Sequence, residues 1–366
     1  MRLKKGPPDF ILLITTLTLL GIGLVMVFSS SAVTAEVNYG DAYYFFKKQL
    51  IWALISVVAM FVVMRLNFLR LKDMAVPLLL FAIICLILVV TPLGVDVKGA
   101  SRSFDFGPVR FSPAELAKIA VVMFLARSME IKLDKITSFK EGVLPFLAIL
   151  AVISGLVMLQ PDLGTAFVIA GTVFFMLMVA GARWLHLWGI ILTGAAAVTA
   201  AIVFEPYRME RVTAFLNPWK YAKDEGFQTI QSLYALGSGG LFGAGLGKSR
   251  QKFFYLPEQH TDFIFAILGE ELGFVGAALV VGLFLLFAWR GFKIATNAPD
   301  NFSRLLAAGI TIMITFQAAI NIGVVSGALP VTGITLPFIS YGGTSLLFTM
   351  IGVGLLLNVS RYSSQN

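Results

Sequence analysis

Three residues that could take part in proton transfer lie just before a long apolar stretch of the chain. Glu258, His260 and Asp262 fall within the run YLPEQHTDF, from Tyr255 to Phe263. An ionised carboxylate at the edge of a membrane costs free energy unless it is hydrated, paired or used in function. Two carboxylates close together raise the pKa of one of them, which suits a general base. The run therefore predicts a catalytic site.

The same residues also have a structural interpretation. An aspartate near the start of a helix can cap its N-terminus, so Glu258 and Asp262 could serve only the helix that follows. If the turn before that helix is itself helical, the spacing of four residues places both carboxylates on one face. His260 is interpreted as an interfacial hydrogen-bonding residue rather than a metal ligand, since the only other histidine is His186.

The composition places the chain in a membrane. Of its 366 residues, 58% are hydrophobic and 13% are charged, whereas about 25% of the residues of a soluble domain are charged. The net charge of +8 comes from short basic clusters between apolar stretches, a pattern that argues against a nucleic-acid partner. The single cysteine, Cys85, excludes an intramolecular disulfide and a cysteine metal cluster.

Apolar windows long enough to cross a bilayer predict ten helices. Their centres fall near residues 20, 57, 82, 121, 151, 171, 194, 275, 314 and 348. Only Gln160, Pro161 and Asp162 interrupt the apolar run from Val143 to Val179, so we expect a tight turn there. The predicted fold class is an all-α integral membrane protein, with residues 1–366 as a single domain.

The distribution of basic residues predicts the orientation of the chain. With ten spans both termini lie on the same side, and the terminal and even-numbered connections hold most of the short clusters of lysine and arginine, such as Arg127, Lys132 and Lys140. The positive-inside rule therefore predicts cytoplasmic termini. The large loop of residues 205–261, between the seventh and eighth predicted membrane spans, is then extracytoplasmic. Part of it is expected to lie in the plane of the membrane interface.

A glycine-rich stretch in this loop carries basic residues. Residues 237–249 read GSGGLFGAGLGKS, which lacks the glycine that a P-loop has five residues before its Gly-Lys-Ser. The stretch is either a flexible hinge or a cup in which glycine amides, Lys248 and Arg250 bind a lipid-linked diphosphate. Lys252 follows closely, and the basic loop as a whole needs an anionic partner such as membrane lipid phosphate.

Further charged and polar residues allow two interpretations. Glu115 and Lys118, with Glu270 and Glu271, either form ion pairs within the bundle or line a cavity continuous with Asp262. On the outer side, a second set could converge with Asp262 to bind substrate: Arg102, Gln160, Asp162, His260, Ser340, Gly342 and Gly343. The two glycines could equally serve close helix contact.

Several motifs together resemble the shape, elongation, division and sporulation (SEDS) family. They are YLPEQHTDFIFAILGEELG, NPWKYAKDEGFQTIQSLYALGSGGLFGAGLG, QPDLGT, LPFISYGGTS and NVSRY. The resemblance spans essentially the whole chain and is closest to the FtsW and SpoVE branch, with RodA more distant. It implies a ten-helix glycosyltransferase of the bacterial cell membrane that polymerises lipid II into peptidoglycan strands beside a class B penicillin-binding protein transpeptidase.

The resemblance also assigns roles. It implies that Asp262, in the HTDF motif, is the catalytic residue, with Glu258 either tuning it or binding a cation. Lys248, Arg250, Lys252 or a divalent cation, Mg²⁺ or Mn²⁺, would neutralise the departing diphosphate. No organic cofactor is expected, and the metal and its ligands stay open.

Two other functions remain as alternatives at this point. A lipid II flippase would use intramembrane charges such as Glu115, Lys118, Glu270 and Arg127, and would tolerate substitution of Asp262. A non-catalytic scaffold for division or sporulation proteins would use the outer loop as a docking surface, which leaves the carboxylates without a task.

Overall fold

The computed structural model describes residues 6–66, 68–97, 100–105, 107, 110–253 and 255–362. A long helix lies at each of the ten predicted centres. These helices are α1 (Phe10–Tyr39), α2 (Tyr44–Arg65), α3 (Phe68–Val90), α4 (Pro113–Ile131), α5 (Leu144–Met158), α6 (Leu163–Ala180), α7 (Trp184–Val203), α10 (Ile264–Thr296), α11 (Asn301–Val325) and α12 (Gly343–Ser360).

The all-α membrane architecture is confirmed. Within the described residues, nine of the ten helices are long and apolar enough to cross a membrane. The remaining helix, α4, carries four charged residues: Glu115, Lys118, Arg127 and Glu130. Its middle is nevertheless buried among the other helices, so protein rather than lipid surrounds it.

A small antiparallel sheet joins α3 to α4, which the sequence did not predict. It comprises β1 (Val95–Val97), β2 (Ala100–Asp105) and β3 (Arg110–Phe111), in the order β1-β2-β3. In the register of the second pair, Phe104 lies opposite Phe111 and Asp105 opposite Arg110. The sheet holds Arg102 beside the turn between α5 and α6.

The large loop contains two helices, α8 (Pro206–Leu216) and α9 (Phe227–Ser238), separated by a short 3-10 helix, Pro218–Tyr221. We expected the helical spacing from Phe227 onward to mark a segment lying in the membrane interface. One face of α9 packs on the bundle: Ile230 and Ser232 are buried, and the Ser232 hydroxyl donates to the carbonyl oxygen of Val325 at 2.6 Å. The interfacial placement of this segment stays a prediction.

The first and last described residues of the chain lie at one end of the bundle. The Gly6 N–H donates to the Arg361 carbonyl at 2.7 Å, and the Asp9 N–H donates to the Ser360 hydroxyl at 3.0 Å. Asp9 also forms an ion pair with Arg290, near the C-terminal end of α10.

The start of α10 lies at the opposite end. Gln259, just before this helix, donates to the Thr34 hydroxyl at 2.7 Å. Thr34 lies in the last part of α1, the helix that begins beside Asp9. The catalytic candidates are therefore a full membrane helix away from the termini.

The helix α10 is interrupted at Gly273, where φ is 68° and ψ is −167°. The glycine-rich segment, residues 239–252, supplies the hydrogen bonds that the helix loses there. Ala244 and Gly245 donate to the carbonyls of Glu270 and Glu271, at 2.9 and 3.0 Å. On the other side of the break, the carbonyls of residues 240 and 241 accept from the N–H groups of residues 274 and 275, at 2.8 and 3.1 Å.

The glycines of this segment permit the close approach. A Cβ at Gly243 would lie 2.1 Å from the Glu271 carbonyl oxygen, and a Cβ at Gly239 would lie 2.0 Å from that of Gly269. Both distances are shorter than any tolerated contact, so a larger residue would push the segment away from α10. This packing explains the richness in glycine without phosphate binding.

We expect Gly273→Ala to destabilise the fold, because alanine does not adopt this backbone conformation and its Cβ would lie 2.3 Å from the Gly243 nitrogen. Conformational strain of this kind costs about 1–3 kcal/mol. Thermal unfolding of the purified protein in detergent measures the loss.

The matched control is Gly282→Ala, in the same helix, where a Cβ meets nothing within 4 Å. Its melting temperature should equal or exceed that of the wild type. Equal melting temperatures for the two variants would show that the break at Gly273 does not depend on glycine.

Candidate functional site

Asp262 lies two residues before the first residue of α10, at the end of a series of turns from residue 255. The turns are not helical: Glu258 has a φ of 54°, and its carbonyl accepts from the N–H groups of Thr261 and Phe263, both at 3.2 Å. The condition for placing Glu258 and Asp262 on one helical face, a helical turn before α10, is therefore not met. The helix cap of α10 is Phe263, and it receives no side-chain hydrogen bond, so Asp262 is not the cap.

The surroundings of Asp262 raise the pKa of its carboxyl from 3.8 to about 7. Burial is the largest cause, followed by repulsion from Glu258 and Asp162, while Arg102 and Arg211 act in the opposite direction. The residue is nevertheless partly exposed, so it sits in a recess that solvent reaches. Near neutral pH such a group exchanges protons readily, as a general base must.

Asn321 of α11 holds the Asp262 backbone in place. Its side-chain amide donates to the Asp262 carbonyl at 2.8 Å and to the Ile334 carbonyl at 2.6 Å. The second bond fixes the coil between α11 and α12, residues 326–342, beside the catalytic candidate. Within this coil, a Cβ at Gly333 would lie 3.7 Å from Asp262 Oδ2, so the carboxylate faces a residue that leaves space in front of it.

Ser340 and His260 connect the same coil to the turns before α10. The Ser340 hydroxyl donates to the Thr261 carbonyl at 2.6 Å and accepts from the Leu336 N–H at 2.8 Å. The His260 carbonyl accepts from the Tyr341 N–H at 2.9 Å, and its ring packs against that of Phe45 with centroids 4.6 Å apart. Ser340 is buried, so the described contacts give it a positioning role.

The paired glycines at the start of α12 differ in their surroundings. A Cβ at Gly343 would lie 2.3 Å from the Trp52 indole nitrogen, which favours close helix contact for this residue. The Gly342 N–H donates to the Gln49 side chain at 3.2 Å.

Arg102, Gln160 and Asp162, three residues of the set expected to converge with Asp262, meet at the turn between α5 and α6. Arg102 donates from Nε to the Gln160 carbonyl at 2.9 Å and from Nη2 to the Pro161 carbonyl at 2.6 Å. Asp162 caps α6 by accepting from the N–H and hydroxyl of Thr165, at 2.9 and 2.8 Å. Gln160 is buried. The charges of Arg102 and Asp162 act on Asp262 in opposite directions.

Arg211 of α8 is a member of the site that the sequence analysis did not single out. It donates to the Val331 carbonyl at 3.3 Å, lies 3.7 Å from the Glu225 carboxylate and packs over the Tyr207 ring. Its contact with the 326–342 coil brings its charge to the Asp262 recess. Sequence spacing gives no signal for this arrangement, because it depends on how α8 folds back over the bundle.

Glu270 and Glu271 fix the glycine-rich segment to α10. Glu271 is fully buried and accepts from the Ser29 hydroxyl at 2.6 Å and from the Lys252 ammonium at 3.2 Å. Glu270 accepts from the Ser249 hydroxyl and from the Arg250 N–H. Of the two interpretations offered by the sequence, the described contacts favour structural pairing for both glutamates.

The ion pair with Glu271 occupies the Lys252 ammonium, which was expected to neutralise the departing diphosphate. This ammonium also donates to the Gly247 carbonyl at 2.6 Å, and the residue is buried. A substrate phosphate could reach this ammonium only by breaking its pair with Glu271. Lys248 and Arg250, by contrast, are exposed and line a separate cavity with Glu270.

Glu115 and Lys118 also form a structural pair. Their charged groups are 2.9 Å apart, and the Lys118 ammonium donates to the Gln317 side chain at 2.6 Å. Gln317 in turn donates to the Thr335 carbonyl at 3.0 Å. The network therefore supports the 326–342 coil from within the bundle.

No preformed metal cage is present in the described part of the chain, where no three histidine, cysteine, aspartate or glutamate residues are grouped to hold an ion. The site instead offers one carboxylate with a raised pKa, two further carboxylates close to it, Glu258 and Asp162, and two arginines. This arrangement can accept a proton at Asp262 and stabilise negative charge beside it.

Comparison with known proteins gives consistent matches over the full chain. Residues 10–365 match the model of the FtsW/RodA/SpoVE family, described as cell cycle protein. The chain is 49% identical to stage V sporulation protein E of Bacillus subtilis over 99% of its length and 100% of that protein. It is 43% identical to the probable peptidoglycan glycosyltransferase FtsW of Trichlorobacter lovleyi, over 96% of this chain and 93% of the relative.

Two solved structures share the fold of this chain. One is a chain of a peptidoglycan synthase complex studied for the structural coordination of polymerization and crosslinking, with a TM-score of 0.80 and 32% identity over 97% of this chain and 98% of that one. Another is the rod shape determining protein RodA of Thermus thermophilus, with a TM-score of 0.74 and 31% identity over 98% of both chains.

Proposed function

The chain belongs to the FtsW/RodA/SpoVE family of cell cycle proteins, and from this membership and the geometry around Asp262 we propose how it acts as a peptidoglycan glycosyltransferase. Its substrate is lipid II, a disaccharide peptide carried on a polyprenyl diphosphate. The reaction joins these units into glycan strands and releases the lipid diphosphate. The observation that carries the proposal is a partly exposed carboxyl with a pKa of about 7, set beside two arginines.

The bond changes follow from these groups. A hydroxyl oxygen of the acceptor sugar attacks the anomeric carbon of the donor sugar, and its proton passes to the Asp262 carboxylate. The bond from the anomeric carbon to the diphosphate oxygen breaks, and the electron pair leaves with the diphosphate. Attack from the opposite side inverts the configuration at that carbon.

The leaving diphosphate needs cationic side chains beside it, close to the reacting carbon, because it departs as an anion in a poorly hydrated site. Arg102 and Arg211 act electrostatically on Asp262, and their described partners are mainly neutral backbone carbonyls. We assign the stabilisation of the leaving group to these two residues, in place of Lys252. Glu258 tunes the base by repelling negative charge on Asp262.

The orientation and the partner are part of the proposal. The positive-inside pattern places the termini in the cytoplasm of a bacterium, and Asp262 lies at the opposite end of the bundle from them. The active site then faces the extracytoplasmic side, where glycan strands are built. The likeness to a chain of a peptidoglycan synthase complex supports a class B penicillin-binding protein as the partner that crosslinks the strands.

A divalent cation, Mg²⁺ or Mn²⁺, would enter this site together with the diphosphate, because the described residues form no complete cage. Mg²⁺ commonly binds through one or two carboxylates and substrate phosphates, and we assign it to Glu258, which lies close enough to repel charge on Asp262. Chelation with EDTA during polymerisation tests this: we expect the rate to fall and to recover with added Mg²⁺. An unchanged rate would remove the cation from the proposal.

The described contacts give no support to a flippase. The intramembrane charges that a transporter would use are engaged within the fold: Glu115 with Lys118, and Glu270 with the glycine-rich segment. These contacts therefore favour the polymerase over the flippase.

Asp262→Ala is expected to reduce polymerisation of labelled lipid II to background, because no other described carboxylate occupies this position. Product on a gel, made by the purified protein with its transpeptidase partner, is the measurement. Glu210→Ala, an exposed residue of the same loop, is the control and should polymerise normally. Wild-type product from a folded Asp262→Ala protein would reject the catalytic assignment.

The pH dependence follows from the raised pKa of Asp262. The base works only when deprotonated, so kcat/KM should rise with pH through about 7 and fall on the acidic side. Glu258→Gln removes a negative charge that raises this pKa, so the acidic limb should move to lower pH.

The matched control is Glu210→Gln, which makes the same change of net charge elsewhere in the loop. Its pH profile should coincide with that of the wild type. A common shift in both variants would trace the effect to overall charge and not to the neighbour of Asp262.

A further inference from the structure

A second cavity lies between α9, the glycine-rich segment and α10. Its volume is about 590 Å³, within the range of small-molecule sites. The polar residues of its lining are Tyr234, Ser238, Lys248, Arg250, Gln251 and Glu270. It shares no lining residue with the groups that act on Asp262, so it is a separate place for a ligand.

The cavity has two available cations. In the part of the chain that the structure describes, no ion pair or side-chain hydrogen bond engages the Lys248 ammonium or the Arg250 guanidinium. Glu270 is the acidic residue of the lining, and its carboxylate accepts from Ser249 and from the Arg250 and Gln251 backbone. The lining therefore keeps a net positive charge that suits phosphate.

Gln251 adds an unsatisfied acceptor to the same wall. Its side-chain oxygen is buried and has no hydrogen-bond partner among the described residues. A buried acceptor left without a donor is unfavourable, so a ligand hydroxyl or amide N–H that the Gln251 side chain turned to meet would stabilise it. Lys248 and Arg250 suit a phosphate, and the Gln251 oxygen suits a hydroxyl or amide donor. Together they favour a phosphate that carries a sugar.

Exposed apolar side chains lie next in the chain to lining residues of the cavity and on α10. Leu241, Phe242 and Leu246 of the glycine-rich segment are 64%, 81% and 56% exposed. Phe274 of α10, whose N–H bonds to the carbonyl of Gly240, is 66% exposed. Because α10 crosses the bilayer, these side chains can contact lipid and a polyprenyl tail.

The chemistry of polymerisation requires two lipid diphosphates at once. The donor diphosphate is bonded to the reacting carbon, so it must lie close to Asp262, beside Arg102 and Arg211. Units are joined head to tail, so the attacking hydroxyl of the acceptor lies at the opposite end of its disaccharide from its own diphosphate. The acceptor therefore needs a second phosphate site, one disaccharide away from the base.

We propose that the cavity lined by Lys248, Arg250 and Gln251 binds the diphosphate and first sugar of the acceptor lipid, while the recess at Asp262 binds the reacting ends. This assignment rests on the proposed polymerase function and names the substrate that each site holds.

The test is a single coupling between two blocked substrates. The donor is a lipid-linked disaccharide with a methyl cap on its attacking hydroxyl, and the acceptor is an analogue with a methylene group in place of the oxygen that joins sugar to diphosphate. The first cannot act as acceptor and the second cannot act as donor. KM is measured for each with the other held constant.

Lys248→Ala/Arg250→Ala should raise the KM for the acceptor analogue at least tenfold and change the KM for the donor by less than twofold. The control is Lys220→Ala/Lys223→Ala, which removes the same charge from exposed positions of the same loop and should leave both constants within twofold. A rise confined to the donor, equal rises for both substrates, or no rise would each overturn the assignment.

The lipid source is separated by repeating the assay in nanodiscs of phosphatidylcholine and in nanodiscs that also contain phosphatidylglycerol. An acceptor site keeps its tenfold effect in both. An effect that appears only with phosphatidylglycerol would overturn the assignment and identify a phospholipid site.

Direct binding separates the cavity from the catalytic proposal. Asp262→Asn protein is titrated with the acceptor analogue, with and without the double substitution at Lys248 and Arg250. Failure of the wild type to couple the substrates would reject the polymerase function. A Kd that the double substitution changes by less than twofold would reject the cavity assignment by itself.

Discussion

Backbone polar groups at membrane depth must find partners within the protein, and this constraint shapes the whole site. Two non-helical stretches lie among the spanning helices: the break in α10 and the coil of residues 326–342. The first is completed by backbone groups of the glycine-rich segment. The second is held by polar side chains of neighbouring helices, including Asn321 and Gln317. Asn321 and Gln317 thus serve irregular backbone, and the 326–342 coil that they hold lies beside Asp262.

The same arrangement explains why Asp262 can act as a base. Fixed turns and the 326–342 coil surround the carboxyl and remove most of its hydration, which raises its pKa. Asn321 binds the Asp262 carbonyl and not the carboxylate, so the side chain keeps its acceptor capacity. The two arginines limit the rise, and the resulting value near neutrality reflects a balance between burial and charge.

The sequence predicted the helices well because hydropathy senses burial in lipid, and the turn at Gln160–Asp162 interrupts an otherwise continuous apolar run. It did not predict the break at Gly273, since a single glycine leaves hydropathy unchanged. Arg211 and Asn321 were missed because their proximity to Asp262 depends on tertiary packing. Among the three neighbouring cations of the glycine-rich segment, the pattern could not distinguish Lys252, which pairs with Glu271, from the two that remain exposed.

The glycine-rich segment links the two proposed sites mechanically. Its backbone bonds to α10 at residues 270 to 275, eight to thirteen residues beyond Asp262, and Glu270 and Glu271 bind its basic end to the same helix. The backbone at Lys248 and Arg250 is therefore anchored to the helix that begins beside Asp262, which fixes the separation of this backbone from the base. A polymerase that joins identical units needs such a fixed separation, because each cycle must place a hydroxyl and an anomeric carbon in the same relation. The glycines that allow this close packing thus serve the spacing of the substrates.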